Sequence, residues 1–172
     1  MAAAFQPVDL SKLIANVVDE FRALASERHL MLQYHLSATP TQAYIDPTRI
    51  MQVIRNLVSN AVKFSPERGT VTLSMCQEES SIVVRVRDEG VGIPEAELET
   101  IFDKFVQSST TKTGAGGTGL GLSIYREIIM AHAGRIWAEQ GPGGGAVFSF
   151  ALPMSKPDAT EPTPELVGVG EQ

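Results

Sequence analysis

Asp88-Glu-Gly-Val-Gly-Ile93 is a short acidic, glycine-rich turn that follows directly on the alternating apolar run of residues 82–86. A carboxylate fixed where a strand ends can accept a hydrogen bond from an amino group, and glycines behind it let a flat ligand approach the backbone without meeting a Cβ. Such a turn suits an adenine. The same Asp-x-Gly-x-Gly spacing also serves a surface loop that needs positive φ at two points, so its meaning depends on what flanks it.

Upstream, Asp46-Pro47 opens a helix, because proline is tolerated in a first turn where its missing N–H costs nothing. Ile50, Ile54, Leu57, Val58 and Ala61 face one way along it, while Asn56, Asn60 and Lys63 stand on the opposite side. At i, i+4 and i+7 those three fall within a sector of about 60°. A plain solvated face is the bland reading. Two asparagines inside a helix argue against it, because Asn forms helix less well than the Glu, Lys or Gln that usually cover exposed faces. A carboxamide oxygen ligates a hard cation such as Mg²⁺, and a lysine neutralises phosphate charge.

Downstream of the turn comes an acidic helical scrap after Ile93-Pro94, then Ile101-Phe-Asp-Lys-Phe105. Residues 107–117 contain no apolar side chain larger than alanine, so burial cannot hold them down. They are expected to be mobile unless a ligand orders them, as a lid would be. Phe102 and Phe105 either anchor the near end of that lid or pack in the core. Gly117-Thr-Gly-Leu-Gly121 then leads into a third amphipathic helix over residues 122–132. Glycines at a helix start leave backbone N–H groups unobstructed and, with the helix dipole, make an anion site. Neither G-x-G-x-x-G after a strand nor G-x-x-x-x-G-K-[ST] occurs.

The remaining elements frame these motifs. Asp9 caps a first helix whose Leu10, Leu13, Ile14, Val17, Val18, Phe21 and Leu24 recur at helical spacing. Residues 30–36 read as a strand, with a break at Ala38-Thr-Pro-Thr41. Residues 71–76 and 82–87 read as an antiparallel hairpin that delivers Asp88. Gly134 closes the third helix, and residues 135–139 and 146–152 form two last strands around the turn Gly141-Pro-Gly-Gly-Gly145. One domain is expected over residues 1–153, and a disordered tail or linker over residues 154–172, where Pro, Glu, Thr and Gly dominate without periodicity.

Composition sets outer limits. With 172 residues, 43% of them hydrophobic, the chain can bury one sizeable core. A net charge of −6 argues against general nucleic-acid binding, which needs a basic face. The single Cys76 excludes an internal disulfide and a zinc site built from several thiolates, and it fits a reducing compartment. No apolar run approaches the roughly 18 to 20 residues that span a bilayer. A soluble, cytoplasmic domain without membrane contact of its own is expected, either on its own or as the cytoplasmic part of a membrane-bound sensor.

Four features thus occur in order: an Asn/Asn/Lys helix face, the Asp88 turn, a polar loop and a glycine-opened helix. As a set they resemble the ATP-binding catalytic domain of sensor histidine kinases, within the wider group shared with DNA gyrase, mismatch-repair ATPases and a heat-shock chaperone. The likeness covers roughly residues 7–153. Gln52-Val-Ile-Arg-Asn-Leu-Val-Ser-Asn-Ala-Val-Lys-Phe-Ser65 resembles the asparagine box, residues 88–93 the first glycine box and residues 101–105 the phenylalanine box. Residues 117–123 look like the second glycine box, and Gly143-Gly-Gly-Ala-Val-Phe148 is similar to a third, with Ala146 where the family often has Thr.

The resemblance implies a two-layer α/β sandwich of the Bergerat type, with a mixed, mainly antiparallel sheet of about five strands on three helices, and a flexible ATP lid. It implies that Asp88 accepts from the adenine amino group, Asn60 ligates Mg²⁺ and Lys63 contacts phosphate, with Asn56 supporting that end. The implied nucleotide-binding set also includes Gly90, Gly92, Ile93, Phe105, Gly117, Thr118, Gly119, Leu120 and Gly121. Hydrolytic relatives place a Glu four residues before the metal-binding Asn as a base. Asn56 stands there in this chain, and an amide cannot take a proton, so transfer to an external acceptor is favoured over hydrolysis.

That acceptor would be a histidine on a dimerisation domain upstream of Phe5, since His29, His35 and His132 lack the family's His-Glu-x-x-x-Pro context. A response-regulator receiver domain would then be the downstream partner. An ATP-binding regulatory module without transfer, and a clamp-type ATPase of the gyrase group, are the alternatives.

Overall fold

The computed structural model describes residues 4–36, 42–103 and 121–154. In chain order these form β1 (Gln6–Asp9), α1 (Leu10–Glu27), β2 (Met31–Leu36), β3 (Gln42–Ile45), α2 (Pro47–Phe64), β4 (Thr70–Glu78) and β5 (Ser81–Arg87). After the Asp88 turn come a 3₁₀ turn at Glu95–Glu97, α3 (Gly121–Ala131), β6 (Arg135–Gln140) and β7 (Ala146–Pro153). The expected lid over residues 107–117, with Phe105, Gly117, Thr118, Gly119 and Leu120, lies outside the described residues. So does the tail from residue 155 onward.

Local chemistry sets the helix boundaries. Asp9 accepts from the Ser11 N–H at 3.0 Å, and Asp46 accepts from the N–H groups of Thr48 and Arg49, so both long helices start on a carboxylate cap. Pro47 follows its cap where no donor is needed. The end of α3 differs from the expectation that Gly134 closes it. Ala133 takes the left-handed turn at φ 61°, with its N–H on Met130 O and the Gly134 N–H on Ile129 O, both at 3.0 Å. Gly134 is required for a different reason: a Cβ there would lie 2.1 Å from the Ala151 carbonyl oxygen.

The main sheet runs β2-β4-β5-β7-β6, with β2 parallel to β4 and every other pair antiparallel. This is the mixed, mainly antiparallel five-stranded sheet expected, and α1, α2 and α3 cover one of its faces. Leu73, Ile82, Val84, Phe150 and Leu152 point into the helix layer and meet Ile14, Val17, Ile54, Val58 and Ile129, all fully buried. Each such side chain contributes about 1.5–3 kcal/mol of burial, against about 0–1 kcal/mol for an exposed ion pair. Packing between the layers therefore dominates, and it holds α2 rigidly along the sheet.

A separate antiparallel ribbon joins β1 to β3, pairing Gln6 with Ile45 and Asp9 with Gln42. It had no counterpart in the sequence reading. A second, smaller core of Ile93, Ile101, Phe102, Ala138 and Ala146 fastens the segment after the Asp88 turn onto β6 and β7. Phe102 meets Phe148 edge to face at 6.0 Å, so of the two phenylalanines considered this one is a core residue.

Candidate functional site

Asp88 leaves the end of β5 with 7% of its surface exposed. Its Oδ1 accepts from the N–H of Gly90 at 2.8 Å and of Ala146 at 3.2 Å, and its own N–H donates to the Ala146 carbonyl at 2.9 Å. Burial pushes the carboxyl above the ordinary carboxylate range, while those two backbone donors pull it back and the Glu89 charge adds to the rise. Both backbone bonds fall on Oδ1. Among the described residues this leaves Oδ2 as the oxygen available to an incoming donor, which fits the amino edge of an adenine.

The glycines around this carboxylate also let separate backbone segments approach one another closely. A Cβ on Gly90 would lie 2.4 Å from the Phe64 carbonyl oxygen at the end of α2. Gly92 has φ 78°, and its Cβ would meet Gln140 Oε1 and the Gly145 carbonyl, both at 2.9 Å. Gly145, at φ 77°, comes so close that a Cβ would lie 2.1 Å from Asp88 O. The turn is thus clamped between the last turn of α2 and the β6–β7 connection. Glu89 adds a tie by accepting the Thr70 N–H at 3.0 Å. Ile93 is buried in the second core beside Ala146, the residue whose backbone holds Asp88.

On α2, Asn56 and Asn60 are half-buried and Lys63 is exposed, on the side opposite Ile50, Ile54, Leu57, Val58 and Ala61. Asn60 Nδ2 donates to Asn56 Oδ1 at 3.4 Å, which leaves the Asn60 carboxamide oxygen for a hard cation. Lys63 Nζ lies 5.7 Å from the Phe64 ring centroid. Because Phe64 O meets Gly90, the Asn/Asn/Lys face and the Asp88 turn converge at the C-terminal end of one helix. The donor set fits Mg²⁺ bound to nucleotide, which takes few protein ligands and completes its shell with phosphate oxygens and water.

The third expected contributor lies on α3, whose first residue is Gly121. Tyr125 of α3 hydrogen-bonds Gln52 of α2, and burial raises its phenol pKa against that bond. Arg126 pairs with Asp103 at 3.3 Å, joining the described residues on either side of residues 104–120. Neither of these ties was singled out in the sequence, because each depends on which segment faces which in three dimensions.

The described histidines differ among themselves. His29 and His35 are exposed, and His29 Nδ1 lies 2.8 Å from Glu67 Oε2. His132 is buried, with Nδ1 on the Ile128 carbonyl at 2.7 Å and Nε2 accepting the Asp46 N–H at 3.1 Å.

The family described as histidine kinase-, DNA gyrase B-, and HSP90-like ATPase matches residues 45–156. The sensor histidine kinase WalK of Bacillus subtilis is 38% identical over 152 residues, covering 87% of this chain and 25% of WalK. The nucleotide-free catalytic domain of histidine kinase ThkA superposes with TM-score 0.79 at 33% identity, covering 88% of this chain and 97% of that domain. ThkA in complex with the response regulator protein TrrA matches with TM-score 0.74 at 32% identity, over 87% of this chain and 42% of the other. The chain thus spans about a quarter of WalK and nearly the whole of the ThkA catalytic domain.

Proposed function

Because the chain belongs to the ATP-binding catalytic domains of histidine kinases, within the histidine kinase-, DNA gyrase B-, and HSP90-like ATPase family, we propose that it binds Mg·ATP and transfers the γ-phosphoryl group to a histidine. The acceptor lies on a dimerisation domain outside this chain, and a response-regulator receiver domain takes the phosphoryl group onward. The observation that carries the reading is the Asp88 carboxylate, fixed through Oδ1 and seated against the helix end that bears Asn60 and Lys63.

In this scheme Asp88 Oδ2 accepts from the adenine amino group, and Ile93 with its apolar neighbours walls the base. Asn60 holds Mg²⁺ with Asn56 orienting its carboxamide, and Lys63 meets phosphate. When bound, Mg²⁺ neutralises charge on the phosphates. The backbone donors of Gly117, Thr118, Gly119, Leu120 and Gly121 receive the triphosphate, and Gly90, Gly92 and Phe105 complete the nucleotide site. The phosphoryl group needs positioning and charge stabilisation more than covalent help from the protein. Asn56 Oδ1 accepts from Asn60 and cannot take a proton from water, which favours transfer over hydrolysis. The domain works in the cytoplasm and occupies residues 1–153.

The test is to mix the chain with γ-labelled ATP and a separately produced acceptor domain. Acid-labile label on the acceptor is expected. ATP binding without any such label would sink the kinase reading in favour of a regulatory ATP-binding module, and rapid phosphate release without acceptor would favour a clamp-type ATPase.

A further inference from the structure

We propose that Arg28 is a positioning residue for the nucleotide site, acting through the last turn of α2; the inference rests on the ATP-binding reading above. Arg28 caps the end of α1, where its backbone N–H reaches the carbonyls of Leu24 and Ala25. Its half-buried side chain crosses to the other long helix. Nη1 donates to the carbonyl oxygens of Val62 and of Lys63, the latter at 2.8 Å, and Nη2 donates to Ser65 O at 2.9 Å. One guanidinium thus holds three carbonyls across the end of α2.

A helix end leaves its last carbonyls without intrahelical partners and carries a partial negative charge. At α2 the Ser65 N–H closes Ala61 O at 3.1 Å, and the next two carbonyls go to Arg28. The carbonyl after those, on Phe64, is the one against which Gly90 rests. The last turn of α2 therefore carries Lys63 on its outer side and supports the Asp88 turn on another. Arg28 sets the frame of that turn, and with it the distance between the group proposed for phosphate and the group proposed for the base. A planar fork of donors does this; an ammonium, as a point charge on a flexible stem, does not hold three carbonyls at once.

The test compares wild type, Arg28→Ala and Arg28→Lys for binding of Mg·ATP and of adenosine by calorimetry, with thermal midpoints recorded alongside. Arg28→Ala should weaken Mg·ATP on the order of 10-fold, with a smaller loss for adenosine, because Lys63 faces only the phosphates. Millimolar guanidinium, far below denaturing levels, should restore part of the Mg·ATP affinity. Arg28→Lys keeps charge and stem for the case in which the alanine variant does not fold, and it should lower the ATP-to-adenosine ratio without a matching fall in thermal midpoint. Losses that are equal for both ligands and track the midpoint, or a wild-type ratio in Arg28→Lys, would overturn the proposal. Failure of the wild-type chain to bind ATP at all would instead remove the nucleotide reading, and this inference with it.

Discussion

Burial raises the pKa of Asp88 above its ordinary value of 3.8, and the N–H groups of Gly90 and Ala146 recover only part of the shift. With a raised folded pKa, the folded chain binds the proton more tightly than the unfolded chain does. Stability therefore falls as pH rises from 3.8 through the folded value, and at neutral pH the ionised carboxylate is held against the fold. Asparagine would keep an oxygen for Gly90 and Ala146 while dropping the charge. Asp88→Asn should thus leave the thermal midpoint of the nucleotide-free chain unchanged or higher, and weaken ATP about 10-fold or more through the lost charged acceptor. Calorimetry of folding and of binding reads the two separately. A variant that binds ATP like wild type would show that the base is not read at Asp88.

The helix stripes of α1 and α2, the β4–β5 hairpin and β7 were legible in the sequence, because each buries a continuous apolar face at its own period. The β1–β3 ribbon was not, since four-residue strands containing Pro7 or flanked by Asp46 offer too few alternations to register. The parallel pairing of β2 with β4 depends on contacts across α2 and is likewise invisible to periodicity. At the site, the residue types at 56, 60, 63 and 88 were readable. That Oδ1 of Asp88 is spent on two backbone donors, and that Arg28 caps α2, were not, because both are three-dimensional pairings.

The end of α3 shows the same limit, and it can be tested. Ala133 occupies the left-handed position and Gly134 the crowded one. Ala133→Gly should stabilise the chain by about 1 kcal/mol, read from the urea midpoint, by removing the Cβ from a left-handed residue. Gly134→Ala should destabilise by about 1–3 kcal/mol, because its Cβ meets the backbone of β7 rather than a side chain that can turn away. The reverse order of effects would mean that the capping assignment is wrong.

At the scale of the whole molecule, His132 and Asp46 fasten three distant parts of the chain. The Asp46 carboxylate caps α2 and accepts the Ala4 N–H at 3.1 Å, while its backbone N–H donates to His132 at the end of α3. Phe5 lies 4.6 Å from the His132 ring and 5.9 Å from Tyr44, so the residues entering β1 rest on the same junction. Burial pushes the His132 pKa below its ordinary 6.5, against the Ile128 carbonyl and the Asp46 charge that favour protonation, while Arg49 assists the fall. With Nδ1–H on Ile128 O, a proton on Nε2 would face the Asp46 N–H donor to donor. The folded chain therefore keeps the imidazole neutral where the unfolded chain accepts a proton. Stability from this junction is present above 6.5 and is lost as pH falls from there through the lower folded value. Asp46 is shifted in the same direction with the same consequence: burial raises its pKa, but the N–H groups of Ala4, Arg49 and Thr48 and the Arg49 charge outweigh that. Its contribution is lost only below the ordinary 3.8, in a separate window. Thermal midpoints should thus decline on acidification below about pH 6.5 in wild type, and His132→Gln should remove that component, at some loss of stability at neutral pH. An unchanged acid slope in the variant would show that the junction is not what couples the N-terminal ribbon and the two helices to pH.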